Sequence, residues 1–349
     1  MMNKKRNYFM VSLLLVFSIL FAACTFKSKD QEANTNEQQE LVIKIEKPID
    51  AEATEEMVEE PTEEPAATSE SEKIELTDGL GRIVILEESA QRVIALAPSN
   101  IEILFEIGAG DLVVGREDFA NYPPEVVDIP SIGGTFGELN LEAILALEPD
   151  LVLVAELTTA EQVQAMEDLG ITVFQLPNPV GFEGLYENMR SVAKLVGREA
   201  EAEEAIAKLE ERVQAVLEKV ANAETRPLVF YELDSTDPNA PWTAGGGTFI
   251  DTVITMAGGE NMGAAYEGAW VQLSAEEILT QDPDFIILGD SIWGVMPEDV
   301  AARPGWGTLS AVQNGQVYPF NDDLVSRPGP RLVQGLEEMA KLIHPELFE

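Results

Sequence analysis

An α/β fold of two related lobes is predicted by three features of this 349-residue chain. The stretch NLEAILALEPDLVL, Asn140 to Leu153, returns as LSAEEILTQDPDFIIL, Leu273 to Leu288. In both copies a glutamate (Glu142, Glu276) precedes a Pro-Asp pair (Pro149-Asp150, Pro283-Asp284), and an apolar, strand-like run follows. A second echo keeps the same order: IEILFEIGAGD at Ile101 to Asp111 matches IDTVITMAGGE at Ile250 to Glu260, a helix closing on glycines each time. Around both copies, strand runs alternate with helical runs, the sign of a mostly parallel central sheet in each half. A chain built from two such halves has a crevice between them, and crevices of this kind are preferred ligand sites.

The elements follow in order. Ile74–Leu76 and Ile83–Leu86 flank Thr-Asp-Gly-Leu-Gly, a hairpin signal. Val93–Ala97 reads as a buried strand, and Pro98-Ser99-Asn100 opens a helix through Ile107. Strands near Val113, Leu151–Val154 and Val173–Leu176 complete the first lobe, expected over 74–180. A helical segment, 181–224, links the lobes. Gly197 breaks it, and from Arg198 to Asn222 apolar residues such as Ala202, Ile206, Leu209, Val213 and Val220 keep a one-faced helical period. At 1.5 Å per residue that helix spans about 37 Å, enough for one long interdomain strut or for a helix packed along one lobe. The second lobe, expected over 225–349, repeats the strand pattern at Leu228–Glu232, Phe285–Leu288 and Val317–Phe320.

Residues 1–23 read as a secretory signal, with Lys4, Lys5 and Arg6 before the apolar run Phe9–Ala23. Phe21-Ala22-Ala23-Cys24 resembles a bacterial lipobox, which makes Cys24 the expected site of lipidation. As Cys24 is the single cysteine, no intrachain disulfide can form. The formal charge is −41 over the whole chain. Residues 24–73 carry 15 acidic and 5 basic side chains with Thr-Glu-Glu-Pro repeats, the composition of a disordered acidic tether. The remaining 276 residues still carry a net −34, which argues against nucleic acid as a partner.

The signal, the tether and two α/β lobes joined by a helix resemble the substrate-binding lipoproteins of bacterial ABC importers for ferric siderophores, haem and cobalamin. The resemblance covers about residues 74–349. It is carried by YPPEVVDIPSIGG, NLEAILALEPDLVLV, GAWVQLSAEEIL and NDDLVSRPGPRLVQGLEEMAKLIHPE taken together with the DGLGRIVIL start. It implies the helical-backbone periplasmic-binding-protein architecture and points to the cobalamin-binding branch. It implies cleft-lining roles for Tyr122, Phe136, Trp242, Trp270 and Arg327, and transporter-docking roles for Glu142 and Glu276. Aromatic faces suit a broad flat macrocycle, since they bury large area with little rotamer loss. Trp270 reads as lying in a loop before a helix cap. Some cobalamin binders have a further tryptophan after the strand ending near Val154, where this chain has Ala155-Glu156-Leu157.

The resemblance therefore implies a monomeric, extracytoplasmic receptor, anchored by lipid to the outer face of the cytoplasmic membrane. It would capture a metal chelate and pass it to an ABC permease, without covalent chemistry or a cofactor. A corrinoid is favoured and a ferric siderophore is next, because a triscatecholate is repelled by so acidic a domain. Haem is a third option, with Tyr122 as axial oxygen ligand. Other readings of the residues stay open. Glu142 and Glu276 could serve as paired carboxylates of an anchored hydrolase, or simply as first-turn residues of two helices; a non-transport interaction lipoprotein is the remaining class. Ala244-Gly-Gly-Gly-Thr-Phe249 reads as a tight turn or an anion nest. Arg327 and Arg331 sit in a Pro-rich loop opening the last helix, where Arg327 meets either the ligand or a surface acid. His344, the single histidine, is expected to be a satisfied surface residue, which leaves no set of His ligands for a bound metal ion.

Overall fold

The computed structural model describes residues 73–134 and 139–348. The chain starts with an antiparallel hairpin, β1 (Ile74–Thr77) and β2 (Ile83–Leu86). Asp78 shapes its turn by accepting the amide N–H groups of Leu80 at 3.0 Å and Arg82 at 2.9 Å. There follow β3 (Val93–Ala95), α1 (Pro98–Glu106), β4 (Val113–Arg116), α2 (Leu141–Ala146), β5 (Leu151–Val154), α3 (Ala160–Glu167) and β6 (Val173–Gln175). The four main strands form one parallel sheet in the order β4-β3-β5-β6. Every residue of β5 is buried, as expected of a parallel strand covered on both faces.

Two helices come next, α4 (Gly181–Val196) and α5 (Glu199–Val220). Gly197 ends α4 in the left-handed conformation at φ 67°, a geometry that favours glycine. The two helices form a hairpin sealed by the paired bonds from Arg190 to Glu203, 2.7 and 3.0 Å. The α4 end is tied to the first lobe by the bond from the Ala90 N–H to the Leu195 carbonyl, 2.8 Å. The α4 start abuts Thr252 of the second lobe, which a Cβ on Gly181 would meet at 3.3 Å. The 22 residues of α5 extend about 33 Å. It buries the apolar stripe read from the sequence (Ala202, Ile206, Leu209, Val213, Val216) between α4 and the last helix. The linker thus contains the long helix and a second one folded back along it.

The second lobe contains β7 (Leu228–Glu232), β8 (Trp242–Ala244), α6 (Phe249–Met256), β9 (Glu260–Asn261), β10 (Trp270–Gln272), α7 (Ala275–Gln281), β11 (Phe285–Leu288), α8 (Pro297–Ala302), α9 (Ser310–Gln313), β12 (Val317–Pro319) and α10 (Leu332–Ile343). Its parallel sheet runs β9-β7-β11-β12, the same succession as β4-β3-β5-β6. The repeated Pro-Asp pair does the same work in each lobe. Asp150 accepts the N–H groups of Gln91 and Arg92 at 2.8 and 3.0 Å, where β3 begins, and Asp284 accepts that of Leu228 at 2.7 Å, where β7 begins. One buried apolar cluster runs from Val93 and Leu153 through Leu185, Val192 and Ile206 to Ile254 and Leu336, so the lobes share a core through the linking helices.

Two local expectations are corrected. Trp270 lies on a strand, since β10 pairs antiparallel with β8; at three residues each, these strands carry too little alternation to stand out. His344 is buried, 3% exposed, with Nε2 3.3 Å from the Gly258 carbonyl, because the chain after α10 turns back against the α6–β9 loop.

Candidate functional site

The cleft between the lobes opens where the parallel strands end. Its first wall is Ala97–Ser99 after β3, Ala155–Leu157 after β5 and Asn178–Val180 after β6; the second is Gly247–Phe249, Ala269–Trp270 and Ser326–Pro328. The space between them is about 650 Å³. Sites at the carboxyl ends of parallel strands are where open α/β sheets hold ligands.

The second wall is built by close backbone approach. A Cβ on Gly245 would lie 1.9 Å from the Gly268 carbonyl oxygen, so only glycine permits the bond from the Gly245 N–H to the Ala269 carbonyl, 2.9 Å. Thr248 caps α6 by accepting the Asp251 N–H at 3.1 Å. The Gly247 N–H is already donated to the Asp251 carboxylate at 2.9 Å, which supports the tight-turn reading of the glycine run over the anion nest. Phe249 and Trp270 then meet edge to face, with centroids 6.0 Å apart. Leu157 and Val180 face the cleft from the first lobe and are among the most exposed large apolar residues described.

The floor is polar and crosses the lobes. Arg327 Nη2 is 2.7 Å from Asp323 Oδ1, and Arg327 Nη1 donates to Asn121 Oδ1 in the first lobe at 2.7 Å. Behind it, Arg331 donates to Glu102 of α1 at 2.6 Å and lies 4.4 Å over the ring of Tyr122. Burial pushes the Glu102 carboxyl above its ordinary value, and Arg331 and Arg327 only partly restore it. Burial likewise raises Glu117, which is fully buried and accepts the Phe119 N–H at 2.8 Å.

The expected site residues separate accordingly. Trp270 and Arg327 come together at the cleft. Trp242 sits beside it: in the β8–β10 ribbon Trp242 opposes Gln272 and Ala244 opposes Trp270, which puts both indoles on one face, diagonal to each other. Tyr122 lies in a separate small recess with Glu102, Leu209 and Arg212. Glu142 and Glu276 are exposed in the first turns of α2 and α7, one in each lobe, away from the cleft lining. Phe136 and Cys24 lie outside the described residues. Sequence reasoning passed over Leu157, Val180 and Phe249. The first two follow parallel strands, so the strand-end rule could have found them; Phe249 reads as an ordinary first helical residue. Among the described residues no group of three or more His, Cys, Asp or Glu side chains is placed to hold a metal ion.

Comparison with known proteins agrees with this architecture. The periplasmic binding protein family model matches residues 93–324. An uncharacterised ABC transporter substrate-binding lipoprotein of Bacillus subtilis, YvrC, is 31% identical over 281 residues, covering 79% of this chain and 87% of that one. A cobalamin-binding protein of Halobacterium salinarum is 31% identical over 274 residues, covering 76% and 73%. Among solved structures, the periplasmic haem-binding protein RhuT of Roseiflexus, in apo form, superposes with a TM-score of 0.66 at 26% identity over 74% of this chain and all of that one. With two thirds of its length matched by the family model and a cleft at the ends of two repeated parallel sheets, this chain belongs to the periplasmic binding protein family.

Proposed function

We propose that this protein is the extracytoplasmic substrate-binding component of an ABC importer, lipid-anchored through Cys24, and that it carries a metal chelate whose metal is already fully ligated. A corrinoid is the preferred cargo. The observation that carries this reading is the chemistry of the cleft lining. Its walls are largely apolar and aromatic with Glu156 as a carboxylate at the first wall, Arg327 is already paired with Asp323, and among the described residues no His, Tyr, Cys or Met side chain lines it. Haem bound through a protein axial ligand needs such a side chain, and Tyr122 is engaged by Arg331 in another recess. A corrinoid or a ferric hydroxamate brings its own ligands and asks only for flat apolar burial and edge hydrogen bonds. Asn178, Ser99 and Ser326 supply the edge groups. A triscatecholate would need several free cations, and among the described residues Arg327 is the only basic one in the lining.

The names of the Bacillus and Halobacterium relatives support the importer role and the corrinoid choice in turn. Ferric hydroxamates are the second reading, favoured by the same largely apolar lining without His, Tyr, Cys or Met among the described residues. The exposed first-turn positions of Glu142 and Glu276, one per lobe, suit two arginines of a permease better than one substrate bond. The test is native mass spectrometry of the protein purified from its own host. A corrinoid adduct is the expected result; a haem adduct would contradict the lack of a His, Tyr, Cys or Met ligand in the lining as the determinant.

A further inference from the structure

Glu156 is the one carboxylate in the cleft lining among the described residues. It is exposed, and no described residue gives it a hydrogen bond or an ion pair. Most other polar side chains of the lining are already engaged. Arg327 is held by Asp323 and Asn121, each at 2.7 Å. Thr248 donates its hydroxyl to the Gly245 carbonyl at 2.9 Å, and Ser326 donates to the Asp322 carbonyl at 2.8 Å. The arginine's charge is therefore matched within the protein, and the charge left open to the cleft is the Glu156 carboxylate.

The backbone fixes that carboxylate in place. β5 ends at Val154, and the Thr158 N–H donates back to the Ala155 carbonyl at 2.9 Å, closing a four-residue turn with Glu156 and Leu157 at its tip. Thr158 is buried, and its carbonyl accepts Gln175 Nε2 of the neighbouring strand β6 at 3.4 Å. Thr159 then opens α3 with a capping box, accepting the Gln162 N–H at 3.2 Å and donating its own N–H to Gln162 Oε1 at 2.9 Å. The turn is thus tied to both β6 and α3, and its two tip side chains stay at the cleft. Across the cleft stand Phe249 and Trp270, which offer the carboxylate no donor from their rings.

A ligand that fills the cleft strips water from this carboxylate. Unless the ligand returns a donor, the desolvated acceptor weakens binding, and a carboxylate on the ligand adds like-charge repulsion that no unpaired cation of the lining offsets. We propose that Glu156 is a specificity-determining residue of the cleft, which accepts a hydrogen bond from an amide or ammonium N–H on the rim of the chelate and turns away chelates with a carboxylate rim. The inference rests on the chelate-receptor reading above and adds to it the chemistry of the ligand's edge. A corrinoid periphery carries primary amides, and ferrioxamine B carries a pendant ammonium, so both present donors. Haem presents two propionates instead. The same carboxylate therefore favours the two preferred cargoes and opposes the third, by attraction in one case and repulsion in the other.

Calorimetric titration of the purified full chain tests this with two matched pairs of probes. One pair is dicyanocobinamide and dicyanocobyrinic acid, the corrin with carboxyl groups in place of the side-chain amides. The other is ferrioxamine B and its N-acetyl derivative, the same ferric chelate without the positive charge. The wild type should prefer the first member of whichever pair it binds, by about tenfold or more for the corrinoids. Glu156→Gln should cut that preference about fivefold or more, the difference between a hydrogen bond to a carboxylate and one to a neutral amide. Glu199→Gln, which removes an equal charge from the exposed first turn of α5, should leave it within about twofold. The unfolding midpoint of Glu156→Gln should not move, because the side chain is exposed. A preference that Glu156→Gln leaves unchanged, or that Glu199→Gln lowers equally, overturns the inference while the chelate reading stands. A wild type that binds none of the four probes overturns the chelate reading and this inference together.

Discussion

Glu148 and Asp282 are the two non-glycine residues with positive φ among the described residues, at 46° and 50°, and each immediately precedes one of the repeated Pro-Asp pairs. The lobes therefore share a strained helix exit as well as a sequence pattern. Their side chains differ in work. Asp282 accepts the N–H and hydroxyl of Ser310 at 2.6 and 2.7 Å, capping α9, whereas Glu148 contributes its backbone carbonyl to Arg92 Nε at 2.9 Å. Glu148→Gly should relieve left-handed strain and raise stability by about 0.5–1 kcal/mol after the added chain entropy. Asp282→Gly gains the same relief but loses the cap, a loss of about 1 kcal/mol, so it should be neutral or destabilising. Thermal unfolding of the two variants checks the contrast.

Arg331 and Glu102 join α10's entry to α1 across the lobes; Glu102 is buried and Arg331 is largely covered. Arg331→Ala leaves a buried carboxylate without its cation and should cost about 3–5 kcal/mol. Arg331→Leu combined with Glu102→Leu should recover most of that loss. Urea unfolding of the three proteins measures it, and a double variant no better than Arg331→Ala would show that packing rather than charge is responsible.

Stability should rise on mild acidification. Burial raises the carboxyls of Glu102, Glu117, Glu232, Asp290 and Asp322 above their ordinary values of 4.5 (Glu) and 3.8 (Asp). Folding thus favours their protonated forms, so their contribution is complete below those ordinary values and is lost as pH rises through the folded-state values. Asp78 behaves oppositely: burial would raise it, but hydrogen bonds from Arg82 and Gln175 hold it low, so its contribution is lost as pH falls below 3.8. Calorimetric unfolding between about pH 8 and pH 5 should show a rising midpoint, helped by reduced self-repulsion, with a reversal at lower pH.

If Glu142 and Glu276 meet permease arginines, Glu142→Ala with Glu276→Ala should sharply reduce uptake into cells while chelate affinity stays within about twofold, because each charge-assisted pair forms only in the docked complex. A parallel loss of affinity would place the glutamates at the ligand instead.

The two-lobe plan was legible because it rests on local signals repeated at a distance: helix, Pro-Asp and buried strand, twice, with Asp150 and Asp284 capping the neighbouring strand each time. The linker stripe from Ala202 to Val216 was legible for the same reason, since periodicity is a local property. The cleft was only half legible. Trp270 and Arg327 stand in distinctive local sequence contexts, but Leu157 and Val180 acquire meaning only from exposure and from the strand ends they follow, which depend on sheet order. Arg331 drew notice as a loop arginine; its hold on Glu102 and Tyr122 brings together residues far apart in the chain, which no spacing encodes. His344 was misplaced because a lone polar residue near a chain end reads as surface.

The most direct test of the central claim is titration of the wild-type protein and of Trp270→Ala with cyanocobalamin, haemin, ferrioxamine B and a ferric triscatecholate, following tryptophan fluorescence. A cleft that takes a chelate already complete in its ligands, against the Phe249–Trp270 wall, predicts micromolar or tighter binding of cyanocobalamin, or failing that of ferrioxamine B. It also predicts weaker binding by Trp270→Ala, with little response to the triscatecholate. Tight binding of haemin through a protein axial ligand, or of the triscatecholate, with no binding of the other two chelates, would contradict it.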